Sequence, residues 1–236
     1  MSKLPPQIWL GGSVAAIAFI VVPFAPTWAA PWIIAGAIYG LFISHYQNWR
    51  GALTKQEIDL FMNSVSKNQI GSPPDLKALR VFLEEDQGKE FFMQNLVKLH
   101  DDDIKDPQSG QMARPRQVLG TYVRSVVGRL LARGGHPVMT LSRVGANVDA
   151  WGPTSEMGAQ WPASSVMRYR SRRDFLKMVA DDSFGDLHAN KVAAIAETIA
   201  YPTHVLVAGH VGPRIYVALV LSLAASVANT FMLAAG

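Results

Sequence analysis

Three polar side chains stand where an enzyme would keep reactive groups. Arg168 falls in residues 164–169, whose side chains alternate, with Ser165, Met167 and Tyr169 on one face and Val166, Arg168 and Arg170 on the other. An arginine inside a strand either holds an anionic or carbonyl ligand on the enclosed side or pairs with a carboxylate on the outside. His188 follows Asp181, Asp182 and Asp186 at the expected start of a helix. An imidazole near carboxylates can act as a general base, or it can simply cap or pack. Asn95, in the middle of FFMQNL, either lines the same pocket or satisfies its neighbours.

Other groupings carry less chemistry. His100-Asp101-Asp102-Asp103 has metal-binding residue types, but consecutive loop residues rarely converge on one ion, so a solvated charge run is expected and no metal site. A membrane haem would need two histidines facing each other across spans. His45 ends an apolar run, His204 and His210 flank the expected last strand, and the final apolar run has none, so no cofactor is expected. There is no phosphate loop, nucleophile elbow or zinc-helix motif. The chain has no cysteine, which removes disulfides and thiol chemistry. The catalytic residues, if any exist, are not identified by sequence.

The elements that must position these residues centre on 161–202. Ser171 stands as an N-cap with Asp174 three residues on. Phe175, Leu176 and Val179 form a helical stripe, and after Gly185 a second helix is expected through Val192, Ala193, Ile195, Ala196 and Ile199, ending before Tyr201-Pro202. Upstream, Thr54 to Glu57 reads as a capping box opening a helix to about Ser64, and residues 75–85 as a short helix. Residues 91–99 read as a strand, 100–116 as a polar loop, 117–132 as a helix ended by Gly134-Gly135, and 138–148 as a strand. The order β-α-β-β-α-(α)-β predicts an α+β, ferredoxin-like split βαβ domain with an antiparallel sheet.

Within that order FFMQNLVKL, Tyr122, the RGG of 133–135, Trp161, MRYRSRRDFLKMV and residues 188–198 carry a resemblance. Together they resemble a domain-of-unknown-function family of the dimeric α+β-barrel superfamily, over about residues 73–207. The resemblance implies a homodimer formed sheet to sheet. Relatives in the superfamily include cofactor-independent oxygenases, isomerases and haem-handling proteins. It adds Tyr122 and Trp161 to Arg168, His188 and Asn95 as ligand-pocket candidates. Two positions depart from the family pattern: Tyr169-Arg170-Ser171 stands for tyrosine-proline-serine, and His188-Ala189 for histidine-arginine.

The two ends differ sharply from the middle. All 18 acidic residues, and all but Lys3 and Arg50 of the 22 basic ones, fall in 51–214. That slight basic excess is too small for a nucleic-acid interface. Residues 8–22, 32–43 and 215–233 are apolar, and Trp9, Trp28, Trp32, Tyr46 and Trp49 sit at the ends of the first two runs as interfacial aromatics do. The reading is three transmembrane helices, with Gly36 and Gly40 as a close-packing pair in the second. A cleaved signal peptide is the rival, with Pro31 a poor junction residue. Lys3, Arg50, Lys55 and Arg214 predict an inner-membrane, multi-pass protein with its domain in the cytoplasm and its C-terminus outside.

The expected organisation is therefore a helical hairpin at 1–50, a juxtamembrane helix and linker at 51–72, an α+β domain at 73–210 and a last span at 211–236. Membrane lipid, a second copy and other membrane-complex subunits are the expected partners. The few ionisable residues in the apolar runs count against a transporter. The expected function is an accessory or assembly subunit of a membrane complex. The alternative is an oxygenase- or isomerase-type enzyme, or a sensor, acting on a hydrophobic small molecule.

Overall fold

The computed structural model describes residues 5–67, 73–149, 151, 161–179 and 182–235. Its helices are α1 (Pro6–Val21), α2 (Ala30–Tyr46), α3 (Lys55–Lys67), α4 (Pro73–Glu84), α5 (Pro115–Ala132), α6 (Arg172–Val179), α7 (Asp182–Ala194) and α8 (Pro213–Ala235). Its strands are β1 (Phe91–Leu99), β2 (Ile104–Lys105), β3 (Met112–Ala113), β4 (His136–Ser142), β5 (Ala163–Tyr169) and β6 (Ile195–Thr203). They form two compact units, Met1–Arg50 with Val205–Gly236, and Gly51–His204. The expected linker at 51–72 thus falls with the second unit. Asp181 and the Gly152-Pro153 turn lie outside the described residues.

In the first unit α2 packs on both α1 and α8. The α1–α2 approach depends on small residues. A Cβ at Gly40 would stand 2.8 Å from a Val14 methyl, and one at Gly11 would stand 3.1 Å from Ser44 Oγ. Gly36 faces open space, so only one glycine of the expected pair works in this contact. Among the described residues two helices, not the three expected, are long and apolar enough to cross a membrane. These are Pro6–Phe24, in which a short 3-10 turn extends α1, and Pro213–Ala234. At 17 residues α2 spans roughly 25 Å, short of a hydrocarbon core of about 30 Å.

The second unit is mixed α+β, built on a four-stranded antiparallel sheet in the order β4-β5-β1-β6. β1 and β5 pair Phe91 with Tyr169, Met93 with Met167 and Asn95 with Ser165, which places these six on one face. That face is covered by helices. Phe91 and Tyr169 stack at 5.1 Å and pack with Val126 and Leu130 of α5, Met178 and Phe175 of α6 and Phe82 of α4. A second cluster joins Ile58 and Met62 of α3 to Leu83 and Leu176.

Local signals explain several boundaries. Glu57 N–H donates to Thr54 Oγ1 while Thr54 N–H donates to Glu57, closing the expected capping box at the start of α3. Asp174 N–H donates to Ser171 Oγ, whose hydroxyl donates back to Asp174 at 2.7 Å, which caps α6 as expected. After α5, Gly134 takes φ of +72°.

The second helical stripe does not reach Ile199. α7 stops at Ala194, and 195–203 is an edge strand. The same residues also alternate, Ile195, Glu197, Ile199 and Tyr201 against Ala196, Thr198 and Ala200, and pairing with β1 selects that period. Pro202 is accommodated because β6 is at the sheet edge. β4 is shorter than expected and begins earlier, holding Pro137 beside a register shift on the opposite edge. The polar loop contains the small β2–β3 ribbon, turned by Gly110 at φ of +71°.

Candidate functional site

Arg168 is the most deeply buried of the candidates, at 2% exposure. A guanidinium that far from water needs its charge and its donors answered. Glu90, just before β1, accepts from Arg168 Nε at 2.8 Å and from a terminal nitrogen at 2.5 Å, and the Gly134 carbonyl accepts at 2.6 Å. Of the two alternatives for this arginine, the carboxylate partner is the one present. The neighbouring Arg170 makes a two-pronged pair with Asp174 at 2.8 and 2.7 Å.

The other candidates lie elsewhere. Asn95 shares the helix-covered face with Ser165, while the register Phe92–Arg168 puts Arg168 on the opposite face. Asn95 donates to the Met93 carbonyl at 3.2 Å and the Ser165 carbonyl at 3.5 Å. Tyr122, on α5, packs into the aromatic core, where burial pushes its phenol up to about 12. Tyr169 is pushed up in the same direction by burial, with the Tyr122 phenol adding to it. Trp161 precedes β5 and Arg168 stands near its end, so the two are roughly 20 Å apart along a strand rising about 3.3 Å per residue.

His188 sits in the middle of α7 rather than at its start, because the helix begins at Asp182. Burial lowers the imidazole's pKa, and the Lys191 charge one turn on lowers it further. Burial also lowers the pKa of the Lys191 ammonium. Structure thus brings Asn95 and Tyr122 to one face of the sheet and His188 and Lys191 to one helix, but places Arg168 on the other face of the sheet and Trp161 beyond the far end of its strand.

The residues that sequence reasoning missed are Glu90 and Lys191. A register was the missing signal for Glu90. Once β1 and β5 are paired antiparallel with Phe91 opposite Tyr169, Glu90 and Arg168 fall at the same sheet end. His100 to Asp103 are exposed and line an open cleft with Lys98, Leu99, Ile104 and Ala196. Among the described residues no group of three or more histidines and carboxylates is placed to hold a metal ion.

The face carrying Arg168 is the less covered one. Register assigns to it Phe92, Gln94, Leu96 and Lys98 of β1, Val166 of β5, Met139 and Leu141 of β4, and Ile199 and Tyr201 of β6. None of these packs in either core cluster, and Met139, Leu141, Ile199 and Tyr201 are exposed. Lys98 and Glu197 form an ion pair at 3.1 Å at one end.

No family model matches the chain, and no curated protein matches it. The crystal structure of the methylated RPA0582 protein is 18% identical, with a TM-score of 0.47 over 59% of this chain and 96% of that one. A second structure of RPA0582, a protein of unknown function from Rhodopseudomonas palustris, is 17% identical, with a TM-score of 0.46 over 58% of this chain and 96% of that one.

Proposed function

We propose that the chain is a membrane-anchored accessory or assembly subunit that forms a homodimer through the bare face of its sheet. The observation that carries this reading is that face: a row of apolar side chains across all four strands, outside both core clusters. A sheet with helices on one side only is stabilised when its other side meets a second layer, and a second copy supplies one of matching chemistry. Proline and a register shift in β4, and Pro202 in β6, blunt both edges, which favours contact through the face over edge-to-edge addition. The order β4-β5-β1-β6, with helices after β1 and β5, supports a ferredoxin-like arrangement and the likeness to the dimeric α+β-barrel family.

Attachment runs through α1 and α8 in the inner (cytoplasmic) membrane, with the shorter α2 completing the return crossing through local thinning of the bilayer. Lys3, Arg50, Lys55 and Arg214 favour a cytoplasmic 51–204 unit. A reporter fused after Gly236 is expected outside the cytoplasm, and one placed in the turn at 106–111 inside. Both on one side would contradict this topology.

Enzymatic or sensing activity on a hydrophobic small molecule would need the five pocket candidates around one void. Their distribution over two sheet faces favours assembly instead. Purification of the full chain in mild detergent, with mass spectrometry of what accompanies it, tests the choice. Stoichiometric protein partners are expected, and a stoichiometric small molecule without protein partners would overturn the assembly reading.

A further inference from the structure

The bare face of the sheet carries a polar side chain at its middle. Register arranges that face in rows that cross all four strands, through Phe92, Gln94 and Leu96 of β1. Gln94 stands in the middle one of these rows and on an inner strand, between Val166 of β5 and Tyr201 of β6. It is half-buried, and among the described residues its side-chain amide has no hydrogen-bond partner. Charges are kept to the ends of the patch. Arg168 pairs with Glu90 at one end and Lys98 with Glu197 at the other. Each end is a matched pair, so a second copy meets no single-sign field there. An apolar centre inside a polar rim is how protein interfaces are built.

We propose that Gln94 aligns the sheet-face dimer, its amide pairing with the same amide of the second copy across the twofold axis. The inference rests on the dimer proposed above and names the contact at its centre. Two identical faces meet about a twofold, and a residue beside the axis meets its own counterpart. Full overlap of two such patches puts an axis along the strands between β1 and β5, or an axis across the strands through the middle row. In either case Gln94 lies within about 2.4 Å of the axis along the face, half of a strand spacing. Sheets packed face to face stand about 10 Å apart, a gap that two extended glutamine side chains bridge. A carboxamide is suited to meet itself, because it carries both donors and an acceptor and can give and take a hydrogen bond at once. In a shifted alignment the amide would be buried without that pair, so a single polar group selects one alignment of an otherwise apolar patch.

The chain has no cysteine, so single cysteines report cleanly on the full chain in detergent. Gln94→Cys is expected to link two copies through a short bis-methanethiosulfonate reagent. Leu141→Cys, on the outer strand β4, is the reference and is expected not to link, since either axis leaves its two copies about 14 Å apart along the face. Gln94→Glu tests the chemistry of the contact. A carboxylate only accepts, so two copies would meet charge to charge. Its dimer dissociation constant at neutral pH, read from the concentration dependence of the mass, is expected to rise by about tenfold or more over the parent. Circular dichroism checks that the variant stays folded. A dimer that does not link through Gln94→Cys, or links equally through Leu141→Cys, overturns the inference. So does a Gln94→Glu chain as tightly dimeric as the parent. A parent chain that is monomeric in the same detergent overturns instead the sheet-face dimer beneath it.

Discussion

Arg168 was legible in the sequence as a strand arginine needing an answer, but not which answer. The alternation of 164–169 fixed its face, while its partner Glu90 lies 78 residues away and becomes its neighbour only through the β1–β5 register. Removing one member of a buried ion pair leaves the other uncompensated, typically at 3–5 kcal/mol, and Glu90 keeps partial access to water. Arg168→Met is therefore expected to destabilise the second unit by about 3 kcal/mol, read as a lower denaturation midpoint of the full chain in detergent. Arg168→Met with Glu90→Gln should recover part of that loss. Unchanged stability in Arg168→Met would remove the structural role assigned here.

Among the elements, those with local signals were the readable ones. Residues 91–99 form β1 as expected, and the capping box of α3 and the Ser171 cap of α6 were visible because their hydrogen bonds close within three residues. Residues 195–203 were not, because their apolar spacing fits both periods and a distant strand decides between them. The tie between α3 and α6 was hidden for the same reason. Arg173, 4% exposed, donates to both Glu57 oxygens and to the carbonyls of Gly51 and Ala52.

The Arg173 hydrogen bonds lead in lowering the Glu57 carboxyl from 4.5 to about 2. A depressed carboxyl pKa contributes stability that is fully present above the unfolded value and is lost as pH falls through the folded one. Glu57 is partly solvated, so screening by water reduces its contribution below the roughly 3 kcal/mol that the shift corresponds to, and acid denaturation should consume it between about pH 4.5 and pH 2. Glu57→Gln should flatten that part of the stability profile, and an unaltered profile would contradict it. Gly88 makes a second test of the same joint. It has φ of +71°, and a Cβ there would stand 2.5 Å from the Gly51 carbonyl carbon. Gly88→Ala should cost more than about 1 kcal/mol by equilibrium denaturation.

At the scale of the whole molecule, the apolar ends and the charged middle were readable from composition, and the α+β class from element order. The short α2 was not, since its apolar residues run on into flanks that the structure gives to turns. Face assignment needed the structure as well. Met167 and Tyr169 belong to the helix-covered core, so a charge there would unfold the unit rather than report on pairing. Val166 is on the bare face, flanked by Gln94 of β1 and Met139 of β4. A carboxylate at that position would be buried unpaired in a dry interface between two copies, at a cost of several kcal/mol. The most direct test is the mass of the detergent-solubilised full chain, parent against Val166→Asp, with circular dichroism checking that both are folded. The parent is expected to be a dimer and the variant a folded monomer. A Val166→Asp chain that keeps the parent's dimer would contradict assembly through the sheet face.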